Sequence, residues 1–219
     1  MTKLANPEVR INFSWLFYED VCRQLDKVQK WDLPSGDQCE EWTEAYRNEW
    51  AKHEAKILTA MQDIVGLNFY KSVIDVTTAP GVIPKSEPLF MSFNGSPKGF
   101  VDTLTHELIH VLLTDNTILS IYGENRTFRL GTIWKNLFGI EDDFSCLVHI
   151  PVHAIHKKIF TDVLDDPKGV DRDIELMKKF GAKSYLRSWD YVEKEGHDVV
   201  IDKLKKSYAD IAKTMEKKK

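Results

Sequence analysis

The residues best suited to chemistry are His106, Glu107 and His110, in the run His106-Glu107-Leu108-Ile109-His110. Histidines four apart lie one turn apart on the same face of a helix, so both imidazoles can reach one metal ion. The glutamate between them falls beside the ion's open position, where it can take a proton from water. On a helical wheel Phe100, Val101, Leu104, Leu108, Val111 and Leu112 share one arc, and the two histidines lie opposite, flanked by Ile109 and Leu113. A helix that is apolar nearly all round is buried, and buried imidazoles need a partner, either a hydrogen-bonding group or a metal. A second set, His149, His153 and His156, forms one helical stripe at steps of four and three. Five of the chain's 7 histidines thus fall in two helical segments, which favours a shared metal over five separate core histidines.

The stretch Thr103-Leu104-Thr105-His106-Glu107-Leu108-Ile109-His110-Val111-Leu112 resembles the active-site helix of the zincin metallopeptidases. The segment Leu89 to Phe93 just ahead of it is similar to the edge strand along which those enzymes lay an extended peptide. Metzincins continue the motif with Gly and His three and six residues on; here those positions are Leu113 and Asn116. Peptide deformylases take a cysteine ligand from a Gly-Cys-Leu-like loop, and Cys22 and Cys39 lie in helical contexts without one. Thermolysin-like enzymes take a later glutamate with an acidic residue four positions on. No such pair occurs in the expected region, where Glu124 and Glu141 stand alone. Pro151 fits best in the first turn of a helix, which would put His149 at the N-cap and His153 one turn inside. A third ligand that opens a helix resembles the SprT-like zinc proteases, so the resemblance implies zinc held by His106, His110 and His149, with His153 as the alternative third ligand. His156, beside Lys157 and Lys158, is expected at the surface or bonded to a neighbouring group.

The chemistry that follows is hydrolysis, with Glu107 as general base on water and the metal, helped by one more donor, stabilising the oxyanion. Tyr185, Arg187 and Tyr191 are the candidates for that donor, with Tyr185 the one named, although a packed aromatic helix is the more ordinary reading of all three. The resemblance implies a peptide or protein substrate. The alternative is a non-catalytic binding or regulatory module in which zinc is structural, closed by His106, His110, His149 and His153. A metal-assisted amidase for small molecules would share every catalytic residue.

The elements that must hold these residues can be read from periodicity and breakers. Phe13 to about Val28 is amphipathic and stops at the turn-like Trp31 to Gly36. Ser35 and Gln38 have capping-box spacing, and Trp42, Tyr46, Trp50, His53, Ile57, Met61 and Ile64 predict one long helix beyond them. Ser72 to Thr78 and Leu89 to Phe93 alternate as two short paired strands, and Asn94-Gly95 marks the turn after the second. Ser96-Pro97 opens the central helix, which runs to about Thr114. Helical patterns follow over Arg126 to Phe138, Asp142 to Leu164, Asp171 to Phe180, Lys183 to Lys194 and Asp198 onward, with Gly181 and Gly196 as C-terminal caps. The expected fold is α+β, a helix-dominated zincin-like domain with a small β-sheet preceding the central active-site helix.

Bulk properties narrow the class. A chain of 219 residues suits one domain, here 1–219, with a helical part over 1–66, strands and metal-site helices over 72–164, and C-terminal helices over 170–219. A net charge of −4 argues against a nucleic-acid binder. No apolar run approaches the roughly 18 residues of a membrane span, and no secretory signal pattern opens the chain. The 3 cysteines, without a C-x-x-C, read as reduced thiols, so a cytoplasmic location is expected.

Overall fold

Val9, Ile11 and Phe13 alternate with Glu8, Arg10 and Asn12, and this period of two makes the first element a strand, β1 (Glu8–Phe13). In the computed structural model, which describes residues 4–28, 34–93, 96–120 and 129–217, the N-terminal part is therefore not purely helical as expected. β1 pairs in parallel with β2 (Val73–Ala79), Ile11 opposite Val76. β2 pairs in parallel with β4 (Leu89–Ser92), and the two-residue β3 (Lys85–Ser86) pairs antiparallel with β4. The order β1-β2-β4-β3 makes a mixed sheet. β4 is thus not the sheet edge that the zincin resemblance implied, because β3 folds back from the preceding loop and covers Leu89 and Phe90.

Helix α1 (Trp15–Val28) leads to α2 (Gly36–Ala51), which opens with the expected reciprocal capping of Ser35 and Gln38. The aromatic stripe does not run through one long helix. It breaks at Lys52 and His53, whose amides bond back to Glu49 and Trp50 in a tightened last turn, and α3 (Glu54–Val65) restarts there. No Gly or Pro marks this break. The change of direction lets α2 lie against the central helix and α3 reach the C-terminal helix.

The central helix α4 (Pro97–Thr114) has Ser96 as N-cap, its hydroxyl accepting from the Gly99 amide, with Pro97 at the first position. It is buried almost all round, with Tyr46 stacked on Phe100 at 4.3 Å. After α5 (Leu130–Phe138), helix α6 (Phe144–Lys158) begins at Asp143, whose carboxylate accepts from the Cys146 amide. Pro151 lies in the middle of α6, not in its first turn, so His149 sits inside the helix and not at its cap. Asp143 decides the start, and Pro151 leaves the Leu147 carbonyl without its usual partner. A π-helical turn, Ile159–Val163, ends α6. Three further helices follow, α7 (Lys168–Lys179), α8 (Lys183–Glu195) and α9 (His197–Glu216), with Gly181 and Gly196 at positive φ between them.

One apolar cluster runs from Ile11 on β1 to Ile211 on α9, with Trp50, Trp189, Tyr208, Phe100 and Phe160 as its largest fully buried members. Cys39 and Cys146 are buried thiols, not disulfide partners. Among the described residues no helix is long and apolar enough to cross a membrane. The turn residues Trp31 to Leu33, the Asn94-Gly95 pair, Glu124 and the start of the segment from Arg126 lie outside the described residues.

Candidate metal centre

Three helices build the site. α4 presents His106, Glu107 and His110; α6 packs on it with His149, His153 and His156; α8 brings Tyr185 against both and Trp189 against α6. His106 is the hub, its ring centroid 4.9 Å from His110, 5.4 Å from His149, 5.6 Å from His153, 5.9 Å from His156 and 5.4 Å from Tyr185.

His106, His110 and His149 each offer a ring nitrogen within 4.8 Å of the other two. His106 and His110 meet Nε2 to Nε2 at 3.2 Å. His149 donates from Nδ1 to the Ser145 carbonyl at 2.6 Å, which leaves its Nε2 bare. A bond of this kind from the far nitrogen is how metal-binding histidines are oriented. Burial, with His149 and other rings adding charge repulsion, holds the His106 pKa far below its usual value and that of His110 at about 3, so both rings are neutral. Burial lowers His149 as well, against the Ser145 carbonyl, which raises it. Neutral imidazoles with bare nitrogens turned toward one another suit a nitrogen-preferring divalent cation.

The other two α6 histidines lie deeper. His153 stacks on Trp189 at 4.1 Å and 7°, and its Nδ1 lies 2.9 Å from the Ser188 hydroxyl. That hydroxyl donates to the Tyr185 carbonyl, so it accepts from His153. His153 therefore faces Ser188 and Trp189 and belongs to no group of ligand atoms within 4.8 Å among the described residues. His156, expected at the surface, is fully buried, because the stripe of α6 faces inward under Phe160 and Trp189 while Lys157 and Lys158 reach out to Glu193 and Asp198. Among the described residues neither ring nitrogen of His156 has a hydrogen-bond partner, nor does Nε2 of His153.

Comparison of the chain with protein-family models, with curated proteins and with solved structures finds no match. The geometry alone carries the functional reading.

Glu107 is buried on α4, and burial first, then the charge of Asp173, raises its pKa to about 7. It is poised to exchange a proton near neutral pH. Tyr185 reaches the site with its hydroxyl 3.1 Å from His106 Nδ1 and 3.0 and 3.1 Å from the two oxygens of Asp173. Arg187 and Tyr191 do not reach it: Arg187 pairs with Asp142 and Asp143 at the surface, and Tyr191 packs on Phe138. They sit on other faces of α8. Asp173 on α7 escaped the sequence reading, since nothing in the order of residues links it to a motif on α4. Ser188 and Trp189 escaped for the same reason, although Trp189 follows the named Tyr185 by one helical turn.

Proposed function

We propose that this chain is a zinc-dependent hydrolase of the zincin type, cleaving peptide bonds of peptide or protein substrates. The observation that carries the proposal is the convergence of His106, His110 and His149, with ligand atoms within 4.8 Å of one another, on a helix whose next residue after His106 is the buried Glu107. Zinc–nitrogen bonds of 2.0–2.1 Å at a tetrahedral angle put two ligand nitrogens about 3.3–3.4 Å apart. The 3.2 Å between the Nε2 atoms of His106 and His110 fits that spacing. His153, which joins no group of ligand atoms within 4.8 Å among the described residues, is unsuited to close the set as a fourth ligand, which favours an open catalytic site over a structural one.

His106, His110 and His149 would hold the ion. When bound, zinc supplies Lewis acidity, making water acidic near neutral pH and polarising a carbonyl. Glu107 takes the proton from the attacking water as the new carbon–oxygen bond forms. It then delivers that proton to the leaving nitrogen as the carbon–nitrogen bond breaks.

The test is metal content and X-ray absorption of the purified protein, with hydrolysis of a quenched-fluorescent peptide library, for wild type and Glu107→Gln. About one zinc per chain is expected with three imidazole ligands, and the variant should keep the zinc while losing about 10²–10⁴-fold in turnover. A metal-free protein, or unchanged turnover in Glu107→Gln, overturns the reading.

A further inference from the structure

The carboxylate of Asp173 is buried against α8, where it accepts from Trp189 Nε1 at 2.9 Å and from the Tyr185 hydroxyl at 3.0 Å. A phenol has one proton to give. Tyr185, donating to Asp173, must therefore accept from His106 Nδ1, 3.1 Å away. The chain of bonds leaves His106 with its proton on Nδ1 and a bare Nε2, the atom that faces His110. α7 is itself fastened to the helix that carries His106. Arg172, the residue before Asp173, makes a two-pronged bond to Asp102 on α4 at 2.6 and 2.9 Å and a third to Asp166 at 3.0 Å. Lys98 on the first turn of α4 reaches the same Asp166.

We propose that Asp173, acting through the Tyr185 hydroxyl, is a positioning residue of the metal centre that sets the tautomer and ring orientation of His106; this rests on the zinc reading above. Tyr185 then serves the ligand from behind and does not face the substrate as an oxyanion donor. His106, His156 and Asp173 also bring one donor atom each within 4.8 Å, a spacing that would admit a second ion. Two observations count against that ion. The Arg172 cation disfavours positive charge at His156, and both carboxylate oxygens of Asp173 already accept hydrogen bonds.

The test uses the full chain and measures zinc affinity by chelator competition and the visible absorption of the cobalt(II) form. The variants are Tyr185→Phe, Asp173→Asn, the double variant and Ser188→Ala. Tyr185→Phe keeps the ring that packs on His149 and His153, and so separates the hydroxyl from the fold. Each single variant of the pair is expected to weaken zinc by about 10–100-fold and to shift the cobalt bands, since loss of such a partner has that effect on metal sites. The double variant should be no weaker than the worse single one within about threefold, because the two act as one unit. Ser188→Ala removes a hydroxyl bonded to His153 and to the Tyr185 backbone carbonyl but to none of the three ligands, and should leave affinity and spectrum unchanged. Unaltered affinity and spectrum in Tyr185→Phe, or multiplied losses in the double variant, overturn the positioning role. Two ions in wild type and one in Asp173→Asn would make Asp173 a ligand instead. Should Asp173→Asn fail to fold by circular dichroism, Tyr185→Phe decides alone. A wild type that takes up neither zinc nor cobalt removes the metal reading itself. Wild-type uptake with unaffected variants removes only the role of Asp173.

Discussion

Three imidazoles on α6 differ in which way their nitrogens face, and that difference assigns them different work. His149 has Nδ1 bonded to its own helix at Ser145 and offers Nε2 to His106 and His110. His153 gives Nδ1 to Ser188 and lies flat on Trp189. The expected outcome is that His149→Ala lowers zinc affinity by at least about 100-fold, whereas His153→Ala lowers it by less than about tenfold, as for a supporting residue. Chelator competition on the two variants checks this, and the reverse order would make His153 the third ligand. The pair His106 and His110, with Glu107 between, was legible from spacing alone. The order of His149 and His153 was not, because both lie on the same stripe of α6 and only the neighbours on α8 tell them apart.

At the scale of elements, two glycines mark where helices come closest, and they differ in what stands opposite. A Cβ on Gly169, in the first turn of α7, would lie 2.1 Å from the Phe160 ring, which is 1% exposed and has nowhere to go. A Cβ on Gly36, at the start of α2, would lie 2.0 Å from Trp15, but that ring is 44% exposed and can swing into solvent. Gly169→Ala should therefore destabilise the protein by about 1–3 kcal/mol through overpacking. Gly36→Ala should cost less, under about 1 kcal/mol, because the ring opposite this buried glycine can turn aside. Urea unfolding compares them, and equal losses would show that Phe160 yields as easily as Trp15. Two elements differ from the sequence expectation. β1 carried its own period-two signal in Val9, Ile11 and Phe13, so it could have been found. The break between α2 and α3 could not, since apolar spacing continues through Lys52 and His53 without a breaker.

Across the whole molecule, the buried histidine cluster links folding to pH. His106, His149 and His153 have lowered pKa values, and His110 and His156 fall to about 3, all chiefly through burial. The unfolded chain therefore binds protons on these rings as pH falls through the ordinary histidine value of 6.5, while the metal-free native protein does not. Glu107 and Asp173 act in the opposite sense, raised by burial to about 7 and about 6, so the native state takes up protons there first. Five imidazoles outweigh two carboxyls, so the unfolded state binds more protons and stability decreases as pH is lowered, by about 1.4 kcal/mol per pH unit for each proton in excess. The urea midpoint of the metal-free protein is expected to drop between pH 7 and pH 5. A flat or rising midpoint would mean that the rings are already protonated in the native state.

The sequence by itself determined what is local. Helical spacing joined His106, Glu107 and His110, the side chains of Ser35 and Ser96 started their helices, and alternation marked β2 and β4. These follow from bonds and contacts within a few residues of one another. Only the tertiary structure decided that His149 faces the pair on α4, that His153 turns to Ser188, and that Asp173 stands behind Tyr185. It also decided that β3 covers β4. The first three depend on how α6, α7 and α8 pack around the site on α4, and that is set by ion pairs such as Arg172 with Asp102 and by burial of Trp189 and Phe160 across distances no local pattern records.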